Sequence, residues 1–269
     1  MVKYKYVVVI LVYRNTEDVQ ELLQCMREKL KDYKVIIVNN YFDDETKVIF
    51  EKIAEEYQCD FVNRENTGYG AGNNAGIGEA LEKYAFDYLI ISNPDIVIRE
   101  FPEKALDAYP DGVYGPDIRN LQARKQNPML YKNNRYAIKL LYQGLKNGNS
   151  LKLFSAKAIH KMQRILGEQR LMKSKPDNRI VYQIHGSFLI FSESVIRKIG
   201  KPYDENMFLF GEEGYLAYLL SEKKIKTFYC PEIQVLHKED GSMKFRTDID
   251  EKCLESSLYF FEKYYFRKE

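Results

Sequence analysis

No apolar stretch in this chain approaches the roughly 20 residues needed to span a bilayer. Val7 to Val12 follows Lys3 and Lys5, but it is too short for a span and lacks a small-residue cleavage site, so it reads as a buried first strand. Cysteine is scarce too: Cys25, Cys59, Cys230 and Cys253 make no CxxC pair and no metal-ligand spacing, which excludes a zinc module and a disulfide scaffold. A reducing cytoplasm is the expected compartment. Acids are almost missing from one region. Between Arg119 and Lys175 stand 14 Lys and Arg residues against a single acid, Glu168, so this segment carries about +13 and the rest of the chain about −11. Such a block is either a solvated helical face or an electrostatic footprint for phosphates on lipid, nucleic acid or an anionic acceptor. No module with base-stacking spacing occurs, so nucleic acid is not an expected partner.

What is present is a chain of 269 residues, 45% hydrophobic, enough to bury one substantial core. Tyr6 to Val12 is a β-branched apolar run, Glu17 to Leu30 has apolar residues at helical spacing, and Val35 to Val38 is a second buried run, together a βαβ unit. The pattern repeats: helix over Thr46 to Tyr57, a short strand at Asp60 to Val62, helix over Asn73 to Tyr84, strand over Asp87 to Ile91. Fully apolar strands alternating with helices predict a Rossmann-like α/β fold. Its central sheet is mainly parallel with helices on both faces, and ligands sit at the carboxyl ends of the strands.

The glycine-rich segment from Asn66 to Gly76 contains Gly70-Ala71-Gly72-Asn73-Asn74-Ala75, which fits the dinucleotide pattern G-x-G-x-x-A, and Asp95 follows about 20 residues on. Taken alone it favours a nicotinamide (NAD-dependent) oxidoreductase. The preceding strand ends near Val62, however, too far upstream for a tight pyrophosphate turn. A helix-starting loop or a nucleotide-sugar loop are the other readings.

Asn93-Pro94-Asp95 at the end of an apolar strand, Glu212-Glu213 and His237 supply a metal-type acid, a base-type acid and an imidazole from three separated segments. With Asn66-Thr67-Gly68, Asn73-Asn74-Ala75-Gly76-Ile77, Gly186-Ser187-Phe188, Tyr203-Asp204-Glu205 and Phe208-Leu209-Phe210-Gly211, they stand in the order seen in family 2 of the inverting glycosyltransferases. The resemblance is strongest to rhamnosyltransferase-like bacterial members and runs from about Val7 to Ser242. The residues themselves give a helical basic segment (119–175) and a C-terminal aromatic and basic helix (251–269), and the resemblance implies a GT-A fold over 1–250, with a nucleotide-sugar-binding half (1–100) and an acceptor-binding half (101–250) that contains the basic segment. It also implies a dTDP- or UDP-linked sugar donor, rhamnose among the candidates, a divalent metal (Mg²⁺ or Mn²⁺), and a glycan or polyprenyl-diphosphate-linked acceptor in cell-surface polysaccharide synthesis.

By the same resemblance Asp95 and His237 are metal ligands, and Glu213 is the base that takes the acceptor proton, with Glu212 second. Tyr13, Asn15, Asn39, Asn66, Gly68, Gly70, Asn74, Asn93 and Asp95 bind the donor, and Gly186 and Ser187 meet the acceptor. The chain departs from the family pattern at Asn39 and Asn93, which replace acids, and at Tyr215, where relatives commonly carry Asp. A catalytically silent sugar- or nucleotide-binding relative is the competing class. The stretch Tyr136 to Tyr142 and the terminal run Leu258-Tyr259-Phe260-Phe261 with Lys263 to Lys268 are the expected contacts for peripheral attachment at the inner face of the cell membrane.

Overall fold

The computed structural model describes residues 2–239 and 249–266; Ser242, Arg267 and Lys268 lie outside them. The first half alternates as expected: β1 (Val2–Val12), α1 (Glu17–Lys29), β2 (Tyr33–Tyr41), α2 (Asp44–Glu56), β3 (Asp60–Glu65), α3 (Tyr69–Lys83) and β4 (Tyr84–Ser92). Tyr6, Val8, Ile10 and Val12 of β1 pack under Val19, Leu22 and Met26 of α1 and Phe50 of α2. Val7, Val9 and Leu11 face Ile77 and Ala80 of α3 on the other side. With both faces covered, the strand must be apolar at every position, which is why it reads as a continuous run. Each fully buried Leu, Ile or Val contributes roughly 1.5–3 kcal/mol.

Beyond β4 come β5 (Ile96–Glu100), β6 (Val113–Asn120), α4 (Arg135–Asn147), α5 (Ser150–Lys173), β7 (Ile180–Val181), β8 (Phe188–Ser192), α6 (Glu193–Ile199), α7 (Glu212–Glu222), β9 (Thr227–His237) and α8 (Ile249–Phe260). A π-helical turn, Phe261–Tyr265, closes the described chain. The sheet order is β3-β2-β1-β4-β8-β6-β9-β5, with β7 beside β9. Among the described residues six strands share one direction, while β5, β7 and β8 run against it. The sheet is therefore mainly parallel, with an antiparallel strand inserted between β4 and β6.

The basic segment, expected as helical, begins at the end of β6 and is helical only in α4 and α5. Asn134 caps α4 through Ala137 N (3.1 Å), and Asn149 caps α5 through Lys152 N (3.0 Å). Gly148 between them takes φ +61°, the left-handed turn that ends one helix and lets the next begin. The apolar face of α4 is spent on packing: Ile138, Leu141, Tyr142 and Leu145 meet Phe260, Phe261, Tyr265 and Phe266. The stretch Tyr136 to Tyr142 and the terminal run, expected as membrane contacts, thus spend most of their apolar side chains on each other, while Tyr136 stays exposed. Phe260, Phe261 and Tyr265 are buried against the domain.

Candidate functional site

Register brings the separated motifs to one edge of the sheet. Ser92 pairs with Phe188 across β4 and β8, which sets Asn93 beside Ser187; Asn93 N donates to Ser187 O (2.8 Å). Ile96 pairs with His237 across β5 and β9, and Lys238 N donates to Asp95 O (3.0 Å), which places the Asp95 and His237 side chains together. Glu212 and Glu213 open α7 after Gly211. All these groups surround one cavity of about 670 Å³. Tyr13, Asn15, Asn66, Gly68, Asn93, Asp95, Gly186, Ser187, Glu212, Glu213 and His237 line it, as do all three histidines of the sequence.

Asn39, Gly70 and Asn74 do not line the cavity. Asn39 is buried at the end of β2 with its amide donating to Asn63 Oδ1 (2.7 Å), and it is the next residue, Asn40, that reaches the cavity. A Cβ on Gly70 would sit 2.8 Å from Tyr203 Cβ, so this glycine serves helix-to-loop packing. The Asn74 amide donates to Tyr203 O (3.0 Å) and Glu205 Oε1 (3.1 Å), tying α3 to the Tyr203-Asp204-Glu205 loop. Because α3 begins at Tyr69, Gly70 and Gly72 lie inside a helix and not in a turn before it. The dinucleotide pattern therefore has no pyrophosphate turn, although β3 runs to Glu65, farther than the sequence predicts. Gly68 is different: at φ +117° its absent Cβ would lie 2.6 Å from Phe208 O, and Tyr69 N donates to that same oxygen (2.8 Å).

The Asp95 and His237 pair is buried and held from behind. Gln126 Nε2 donates to Glu239 Oε1 (2.7 Å), which turns Gln126 Oε1 toward His237 Nδ1 (3.0 Å). An amide oxygen only accepts, so Nδ1 carries the proton. Nε2 then faces Asp95 Oδ2 at 3.4 Å. Two acceptors facing one another call for a cation, either a proton on Nε2 or a metal ion beside both. This donor set, one carboxylate and one imidazole, fits a divalent ion that draws its remaining ligands from substrate oxygens. No cluster of three or more His, Cys, Asp or Glu able to hold a metal by itself occurs among the described residues.

The two adjacent glutamates are not equivalent. Glu212 is 5% exposed, and burial first, the Glu213 charge second, push its pKa up to about 8. It holds its proton at neutral pH. Glu213 Oε1 accepts from Gly186 N (3.3 Å), and a Cβ on Gly186 would stand 3.0 Å from that oxygen. The small residue thus lets the carboxylate reach over β8 toward the cavity.

Sequence reasoning missed several groups here. The Tyr69 hydroxyl lies 3.0 Å from Asn93 Oδ1 and 3.1 Å from Gly186 O, and shares its proton between the two motifs. His185 Nδ1 meets Ser187 Oγ (2.9 Å), its ring stands 5.3 Å from that of His237, and burial lowers its pKa. The scarcity of histidine was the available signal. At the far end the cavity becomes apolar, walled by Ile138 and Leu141 of α4, Phe260, Phe261 and Leu209. His160 of α5 also lines it.

Comparison with known proteins gives this geometry a context. A sequence model of glycosyl transferase family 2 matches residues 7–197. The chain is similar to a crystal structure of GalNAc-T7 with UDP, GalNAc and Mn²⁺ (TM-score 0.64, 11% identity), covering 96% of this chain and 48% of that one. It is similar to S. aureus TarS (0.56, 13%; 87% and 36%) and to the mannosyltransferase PcManGT from Pyrobaculum calidifontis in complex with GDP-Man and Mn²⁺ (0.54, 13%; 97% and 71%). The chain thus spans about half of the first relative and about a third of the second. A search of curated protein sequences finds no match. Likeness at this identity establishes the fold, a GT-A-like mixed α/β domain. The family match takes in most of the sequence, and the chain belongs to glycosyl transferase family 2.

Proposed function

We propose that the protein transfers a sugar from a nucleoside-diphosphate sugar to a hydroxyl of a glycan or lipid-linked acceptor, with inversion at the anomeric carbon. One observation carries the reading: the Asp95 and His237 pair and the Glu213 carboxylate, supplied by different elements, open into a single cavity. GalNAc-T7 with UDP and Mn²⁺, and the mannosyltransferase with GDP-Man and Mn²⁺, support a nucleotide donor and a divalent ion for this chain too.

Tyr13 and Asn15, after β1, line the cavity and would meet the base and ribose, and Asn66 and Asn93, lining it too, would offer amides to the diphosphate and sugar. Asp95 and His237 would hold Mg²⁺ or Mn²⁺, whose charge offsets that gathering on the diphosphate as its bond to the sugar breaks. Glu213 accepts the proton of the acceptor hydroxyl while that oxygen bonds to the anomeric carbon, and the nucleoside diphosphate leaves on the opposite side. Burial and the Glu213 charge favour the neutral form of the adjacent Glu212, which makes it the weaker acceptor for that proton. The apolar end of the cavity favours an acceptor whose sugar is joined to an apolar chain, as in lipid-linked intermediates of cell-surface polysaccharide. The dTDP- and UDP-linked sugars, rhamnose included, are the donors proposed.

Thermal stability with UDP, dTDP and GDP, each with and without Mn²⁺, tests the donor site; at about 100 times Kd the gain is roughly 2.7 kcal/mol. Glu213→Gln is expected to keep that gain and to lower transfer by roughly 10²–10⁴-fold. Stability unmoved by every nucleotide, or full transfer by Glu213→Gln, would refute the reading.

A further inference from the structure

Helix α5 has two apolar stripes on opposite sides. Leu153, Ala156, His160, Gly167 and Leu171 recur at steps of three, four and seven residues and face the protein: Ala156 and Leu171 are buried, Gly167 lies against the Tyr131 ring, and His160 lines the cavity. Leu151, Phe154, Ala158, Met162, Ile165 and Met172 follow the same steps half a turn away, and the large ones among them are 54–74% exposed. At 1.5 Å per residue this outer stripe extends about 30 Å. Lys157, Lys161 and Arg164 run along one flank, with Lys152, Arg170 and Lys173 toward the other. An outward apolar ridge of this length on a soluble domain needs a covering partner.

We infer that the outer face of α5 lies in the surface of an anionic membrane, with the ridge in the headgroup and acyl boundary and its cations on lipid phosphates. The charge of the region selects this occupant. From Arg119 to Lys175 only Glu168 is acidic, and it is paired to Lys125 (3.1 Å). A second copy of the chain would set two such basic faces against each other. A nucleic acid would neutralise the cations but leave the ridge in water. Anionic lipid satisfies both at once. The same helix lines the cavity through His160, so docking would hold the cavity beside the bilayer. The inference is independent of the transfer chemistry, since the outer stripe contributes nothing to the cavity.

Sedimentation with phosphatidylcholine vesicles containing about 30% phosphatidylglycerol is the test, against pure phosphatidylcholine as control. The protein is expected to pellet with the anionic vesicles at low salt and to be released as salt rises. Phe154→Glu with Ile165→Glu should lower binding by at least about tenfold, and Lys157→Gln with Lys161→Gln by about fivefold per charge. These side chains are exposed, so the circular dichroism and melting of both variants should match the parent. The sequence contains no tryptophan. Phe154→Trp is therefore a sole reporter whose emission should move to shorter wavelength on anionic vesicles, while Val48→Trp on α2 should not respond. No pelleting of the parent, or undiminished pelleting of the double glutamate variant, overturns the inference. So does a concentration-dependent dimer that the glutamates abolish. Transfer to a water-soluble acceptor should be the same in parent and variant, which separates this outcome from failure of the proposed activity.

Discussion

The Gln126 amide is fixed by the Glu239 carboxylate on one side and in turn fixes the tautomer of His237 on the other, so a residue outside every motif sets the lone pair that faces Asp95. Outer partners of this kind are typically worth 10–100-fold in metal affinity. Gln126→Leu is expected to weaken Mn²⁺ binding by about that factor, read by titration calorimetry with UDP present, while the melting temperature without metal moves little. Equal Mn²⁺ affinity in the variant would show that His237 is not oriented this way. Glu212 gives a second measurement. Its folded pKa of about 8 lies above the ordinary carboxyl value, so the native state holds a proton there that the unfolded chain releases. Stability from this group is full below about pH 4 and falls as the pH rises toward 8, by on the order of a few kcal/mol. Glu212→Gln should flatten that slope between pH 5 and 8 in urea titrations; an unchanged slope would place the loss elsewhere. That Asp95, Glu213 and His237 share one cavity was legible because each stands in a motif of recognisable order. Gln126 was not, because an amide in a polar loop gains its meaning only from His237 and Glu239, 111 and 113 residues away.

At the scale of elements, Asp204 is the pin between the site and the C-terminal helix. Its Oδ2 accepts from Tyr259 (3.0 Å), Lys263 (3.0 Å) and Tyr264 (2.5 Å), and its Oδ1 from Asn206 N (3.1 Å) and Nδ2 (2.7 Å). Burial alone would raise the carboxyl pKa, but the donors from Tyr264, Asn206 and Lys263 outweigh it and hold the group well below the usual range. The stability it confers is therefore present above about pH 4 and lost as the pH falls below that. Asp204→Asn should cost about 2–3 kcal/mol, with Lys263 half exposed and screened, and should speed amide exchange across α8 before the rest of the chain. Unaltered exchange in α8 would show that the aromatic cluster suffices to dock it. Tyr215 belongs to the same joint: its ring packs 4.9 Å from Tyr264. Strands β1, β2 and β4 were readable, since burial on both faces demands largely unbroken apolar runs; β3, at the sheet edge with no fully buried residue, was readable only as a short piece. The β5 and β9 pairing was not, because β9 carries Pro231, Glu232 and Gln234, which no strand pattern favours.

The whole molecule cannot be divided where its sequence divides. The halves expected at 1–100 and 101–250 interleave in one sheet: β8 pairs with β4, and β9 lies between β6 and β5. The family match stops at residue 197, before α7 and β9, yet Glu212, Glu213 and His237 lie beyond it. A chain ended at 197 would leave β5 without its β9 partner and expose one side of β6, and would remove part of both main clusters, including Val235 and Leu216. It should fail to give a cooperative unfolding transition, whereas the full chain should give coincident transitions in far-ultraviolet and tyrosine near-ultraviolet circular dichroism. Two separated transitions in the full chain, or a cooperative fold in the shortened one, would mean that the first half is a domain in its own right. The site would then sit on a hinge between two bodies. The single sheet argues the opposite: β4, β8, β6, β9 and β5 form one hydrogen-bonded ladder, so Asp95 and His237, beside the paired ends of β5 and β9, keep their separation without any closing motion of one half on the other.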